Sequence, residues 1–165
     1  MKTVMIIISI ATLTAIGADA PIPTAEDVAK TYAKTLTRLT KKPKDIGPEF
    51  ATMCDDSPGR KKYGPHVHAS VHHYRNKLAQ APKDSFSPGS VLVKEKLVHV
   101  ESDKATALEL VTGMIKQPAG TSPKTGDWSF FTMRDGKVET AKMESCAGCH
   151  SGAKRDYVFT DVPKR

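Results

Sequence analysis

The chain has 165 residues, 39% of them hydrophobic and 26% charged, a balance that fits one soluble globular domain and excludes a disordered or fibrous chain. Its formal net charge is +7, but the basic clusters Lys41-Lys42-Lys44 and Arg60-Lys61-Lys62 lack the interleaved aromatics of a nucleic-acid platform. No nucleic acid is expected as a partner, which leaves a solvated basic surface able to steer an acidic partner or an anionic ligand.

Residues 1–20 read as a secretory signal peptide: Lys2 at the start, an apolar run from Val4 to Ile16, and the small residues of Ala18-Asp19-Ala20 at the cut. The run is shorter than the roughly 20 residues that cross a bilayer, although Pro21 is an awkward residue after a cut at Ala20. The expected product is a periplasmic or secreted domain over residues 21–165, with no membrane span after cleavage. It is large enough to bury about two-thirds of its unfolded surface without staples.

Thr24 before Glu26 and Asp27 predicts a helix start, and Val28, Tyr32, Leu36 and Leu39 carry one apolar stripe to about Leu39. Residues 43–65, rich in Pro, Gly and charge, read as short helical turns or a functional loop. From His66 to Tyr74 the period changes to two, with Val67, Ala69 and Val71 on one face and His66, His68, Ser70, His72 and Tyr74 on the other. Val91 to Val100 and Ala105 to Lys116 are strand-like, Leu92, Lys94, Lys96, Val98 and Val100 sharing a face of the first. Trp128 to Met133 and Lys137 to Thr140 flank Asp135-Gly136, a tight hairpin dipeptide. The fold class is therefore mainly β (α+β): an antiparallel sheet with an N-terminal helix and, near the C-terminus, a cysteine motif.

That motif is Cys146-Ala147-Gly148-Cys149-His150, the c-type haem attachment pattern. Two thiols on one turn can add across the two vinyl groups of one porphyrin, and the following histidine brings an imidazole to the iron. A thioredoxin-like redox pair would want a βαβ context, and a zinc site would want a second ligand pair at finger-like spacing; neither is visible. An odd cysteine count agrees, since two cysteines with another job leave only Cys54 over, as a small half-buried residue.

Cys146 to His150 followed by Ser151-Gly152-Ala153-Lys154-Arg155 and Asp156-Tyr157-Val158-Phe159-Thr160 resembles the C-terminal signature of the cytochrome P-460 family. Upstream, Pro88 to Glu95 is similar to the family's glycine turn and Val-Lys-Glu strand, and Gly126 to Phe131 to its Asp-Trp-x-Phe-Phe strand. The resemblance covers about half of the chain beyond residue 20. It implies a mainly β protein, commonly a homodimer, with one covalent haem c, His150 proximal to iron, and a distal side open to small ligands. In true members a lysine is cross-linked to the porphyrin, and its counterpart here is Lys94. Those members oxidise hydroxylamine and nitric oxide, so the resemblance implies a small nitrogen-containing ligand and a redox partner protein that takes the electrons.

The chain departs from that pattern where the family carries a distal arginine: an ungapped count from Lys94 reaches His68, which could donate to a bound ligand when protonated. The pocket carboxylate should follow the lysine strand, and Glu109 is its nearest candidate as a general base. Two further readings stand beside an oxidoreductase. One is a gas binder like the cytochromes c′-beta, which lack the cross-link. The other is an electron carrier with a sixth ligand drawn from Met114, Met133 or Met143. A second metal on His66, His68 and His72 is also open, with Cys54 as a further ligand.

Overall fold

The structure is a computed structural model and describes residues 21–42, 44–46, 67–80, 84–100, 105–140 and 143–159. Helix α1 (Ala25–Thr35) opens as expected, Thr24 Oγ1 accepting the N–H of Asp27 at 3.1 Å. It ends a turn before Leu39. Leu36 is extended, its N–H bonded to the carbonyl of Tyr32, because Thr37 and Arg38 leave the helix to form β1 (Thr37–Arg38) against a later strand.

The remaining strands are β2 (Lys44–Ile46), β3 (Val67–Arg75), β4 (Val91–Val100), β5 (Ala105–Lys116), β6 (Trp128–Arg134) and β7 (Lys137–Glu139). All neighbours pair antiparallel in the order β1-β3-β4-β5-β6-β7, with β2 also on β3. Since β4 takes one side of β3, β1 and β2 share the other, and the sheet is six strands wide. The Asp135-Gly136 turn has positive φ at both residues, 49° and 76°, as the hairpin geometry that matches strand twist requires. The mainly β fold with an N-terminal helix is therefore as the sequence indicates. The cysteine motif lies on a second helix, α2 (Met143–His150).

Residues opposite one another in an antiparallel ladder share a face, so the register sorts the side chains into two layers. One face carries the rows Tyr74-Val93-Gly113-Phe131 and His72-Glu95-Val111-Met133-Val138. Against it lies α1, whose Val28, Ala29 and Tyr32 join Tyr74, Val91, Val93, Val111, Ile115 and Phe131 in one core. The tyrosines close around a carboxylate: Tyr32 and Tyr74 donate to the two oxygens of Glu95 at 2.7 and 2.9 Å. Burial, reinforced by Glu95, holds both phenols above their ordinary pKa.

The opposite face carries Arg75-Leu92-Met114-Phe130 and His73-Lys94-Thr112-Thr132-Glu139. Here α2 packs. Met114, Trp128 and Phe130 meet Ala147 of α2, Val158 beyond it, and Phe86 and Ala79 from the connection between β3 and β4. Among the described residues no helix is long and apolar enough to cross a membrane.

Candidate functional site

Helix α2 turns Ala147 inward, 3% exposed, and leaves Cys146 half-buried and Cys149 exposed. Residues three apart are neighbours on a helix surface, so the two sulfurs lie on one side, and neither is in a disulfide. A methyl group added at Gly148 would touch nothing within 4 Å, so a planar ring can approach the helix there.

His150 closes the helix between two aromatic rings, 5.3 Å from Phe130 and 5.4 Å from Phe159. Its Nδ1 lies 2.7 Å from the carbonyl oxygen of Tyr157. A carbonyl only accepts, so Nδ1 carries the proton and Nε2 keeps the lone pair for a metal. Burial pulls the imidazole pKa below its ordinary value, opposed by the Tyr157 carbonyl and assisted by the positive charge of Lys94. The ring is therefore held neutral, as a metal ligand must be.

The carbonyl of Tyr157 reaches His150 because Asp156 and Tyr157 both adopt positive φ, 39° and 64°, folding the chain back over the helix end. Around them the segment is anchored to the sheet. Asp156 accepts from Lys116 Nζ at 2.7 Å and from the N–H of Phe86 at 2.8 Å, and the Trp128 indole N–H donates to the Asp156 carbonyl at 3.0 Å.

Lys94 is half-buried and stands on the face that receives α2, near enough for its charge to act on His150. Lys96, on the same face, is 4% exposed. Neither strand lysine is thus fully solvated. His68 pairs with His99, and Glu109 is the extra residue of a β-bulge opposite Lys96 and Leu97; their side chains lie outside those described. Bulges re-aim side chains beside functional sites, which gives the Glu109 position a specific backbone context. Of the histidines at 66, 68 and 72, only His72 has a described side chain. It sits on the α1 face with Nδ1 2.8 Å from Thr40 Oγ1, and among the described residues no three metal-ligating side chains converge. His66 and Cys54 lie outside the described residues.

Two residues that the sequence reading passed over stand in the Lys94 layer: His73, directly opposite Lys94, and Arg75, opposite Leu92 and 7% exposed. Strand alternation counted from Tyr74 would have found them, had the Tyr74 face been known to be the one covered by α1 and the opposite face the one that receives the cysteine motif. The methionines also separate. Met114 packs beside Ala147, Met133 packs against the α1 core, and the Met143 side chain is outside those described.

A profile of the cytochrome P460 family matches residues 56–160, more than half of the chain, from before β3 through Thr160. The chain belongs to the cytochrome P460 family. It is accordingly a haem cytochrome, and the match takes in both Lys94 and the Cys146–His150 helix. No curated protein matches the chain. The residues fit the prosthetic group of a cytochrome P460: two thiols a turn apart, an unhindered surface at Gly148, and a neutral imidazole whose Nδ1 is occupied and whose Nε2 meets no hydrogen-bond partner among the described residues.

Proposed function

We propose that this cytochrome P460 is an exported mono-haem c-type protein that oxidises small nitrogen species such as hydroxylamine and nitric oxide and passes the electrons to a redox partner. In this reading Cys146 and Cys149 hold the porphyrin by thioethers and His150 is the proximal ligand. The bound group supplies an iron able to take a small ligand and to change oxidation state. The observation that carries the reading is the placement of Lys94 on the α2 side of the sheet, with its charge acting on His150. A lysine so placed can reach the porphyrin edge, as the family's cross-link requires. Glu109, from the bulge, serves as the base that removes the bound ligand's protons. The apolar rings of Phe130 and Phe159 flank His150 and keep water from the proximal side.

Residues 1–20 direct export to the periplasm, where c-type haem is attached. The +7 charge of the chain favours docking of an acidic electron acceptor, and the assembly is a homodimer.

The test is to produce the protein in a host that assembles c-type haem, record ferrous and nitrosyl spectra, and digest it for haem peptides. A red-shifted ferrous band with porphyrin attached to Lys94 supports the oxidoreductase. Five-coordinate iron without a Lys94 adduct points to a nitric oxide binder, and six-coordinate low-spin iron to an electron carrier. A chain without covalent haem after such expression would end the proposal.

A further inference from the structure

The C-terminal segment contains an ion pair that haem attachment itself does not require. Lys116, at the end of β5, and Asp156, beyond α2, are 12% and 11% exposed and approach at 2.7 Å. Taking two charges out of water is unfavourable unless their geometry and remaining hydrogen bonds compensate, and an apolar pair of the same size often serves stability as well. Here the remaining bonds are complete. Asp156 also accepts the N–H of Phe86 at 2.8 Å and faces the Trp128 indole N–H at 3.3 Å. Lys116 Nζ also donates to the Gly126 carbonyl at 2.8 Å and lies 5.0 Å from the centre of the Trp128 ring.

This clasp holds a backbone shape that the chain would not otherwise keep. Asp156 and Tyr157 are consecutive non-glycine residues at positive φ, a conformation that persists only when its surroundings over-determine it. Gly126 is shaped to the same end. A Cβ there would lie 3.0 Å from Tyr157 Cζ and closer still to Cδ2 and Cε2, so the glycine admits the ring while its carbonyl receives Lys116. The product of the strained pair is one hydrogen bond, from His150 Nδ1 to the Tyr157 carbonyl.

We infer that Lys116 and Asp156 are positioning residues for His150: their ion pair locks the left-handed Asp156-Tyr157 turn and so sets the strength of the Nδ1 hydrogen bond. The inference rests on the haem reading above, in which Nε2 is the iron ligand. A strong bond at Nδ1 makes the imidazole a better donor to iron and stabilises the oxidised state; a loosened one does the reverse.

Charge alone and positioning make opposite predictions for one of two variants. Asp156→Ala removes a negative charge and Lys116→Met a positive one. If the pair acted only through its field, the midpoint potential would rise in the first and fall in the second. If it positions His150, the potential rises in both, and the ferrous iron–imidazole stretch in resonance Raman moves to lower frequency in both. Both measurements use the holoprotein, with haem content per chain determined alongside. Opposed shifts, or no shift in either quantity, overturn the inference. Should Asp156→Ala fail to assemble, Asp156→Asn keeps the shape and an acceptor for Phe86, and its shifts are judged against Lys116→Met by the same rule. Wild-type protein without covalent haem would instead overturn the haem reading, an outcome visible before any variant is compared.

Discussion

Replacing Gly113 by alanine tests the layer arrangement directly. Gly113 stands on the α1 face between Val93 and Phe131 in the ladder. A Cβ there would lie 2.9 Å from Phe131 Cε2 and nearer still to Cζ and Cε1. Carbon atoms in contact need about 3.5 Å, so even the farthest of the three atoms must retreat by roughly 0.6 Å. Phe131 is 2% exposed, enclosed by Tyr74, Val93, Val111 and α1, and has no solvent side to move toward. The substitution should therefore cost about 2–3 kcal/mol, the upper part of the range for overpacking, and lower the melting temperature by about 8–12 °C at roughly 4 °C per kcal/mol. Urea unfolding followed by tryptophan fluorescence measures the loss, Trp128 being the lone tryptophan. If the clash with Phe131 is the cause, Gly113→Ala combined with Phe131→Leu loses at least about 1 kcal/mol less than the two singles added together. A Gly113→Ala protein within about 0.5 kcal/mol of wild type, or strict additivity in the double variant, would refute the placement of the ring over the glycine.

Three other outcomes follow from the structure. Both phenols on Glu95 are held above their ordinary pKa, so above about pH 10 the unfolded chain releases protons that the folded chain retains, and stability falls as pH rises. The difference in urea midpoint between wild type and Tyr32→Phe should accordingly shrink between pH 9 and pH 11; a constant difference would remove the phenol from the account. Thr24→Ala should destabilise the domain by about 1 kcal/mol by leaving the Asp27 N–H uncapped, and Thr24→Asp should restore most of the loss in thermal melts. His150→Ala should leave the thioether attachment at Cys146 and Cys149 possible while removing the proximal ligand. Haem staining after denaturing electrophoresis together with a changed ferrous spectrum reports that combination, and an unchanged spectrum would reassign the ligand.

Much of the sheet was legible because its signals are local. Alternation marked β3 and β4, and Asp135-Gly136 marked the β6–β7 turn. Helix α1 was overextended because Leu36 and Leu39 continue its apolar spacing, whereas the chain obeys the ladder offered by β3, a contact no local pattern reveals. Alternation separates the faces of a strand without saying which face meets which layer, so it grouped Lys94 with Lys96 but could not place either beside α2. The haem motif itself was plain in Cys146, Cys149 and His150. What orients His150 was not. Asp156 and Tyr157 are residues that rarely adopt positive φ, and the contacts that hold them there come from Phe86, Lys116 and Trp128, 70, 40 and 28 residues away in the chain.

Those separations also dictate an order of assembly. Each of the pairings β3–β4, β4–β5, β5–β6 and β6–β7 joins strands consecutive in the chain, so the platform grows by short closures with little chain entropy lost at each step. The C-terminal segment has no partner until that platform stands, because the sites that receive Asp156 are spread over three separate stretches of it. Closure of the Asp156 clasp thus requires β5, β6 and the β3–β4 connection to be in place. The turn that orients His150 is therefore tied to the completed sheet, so the proximal side of the site and the platform beneath it stand or fall together.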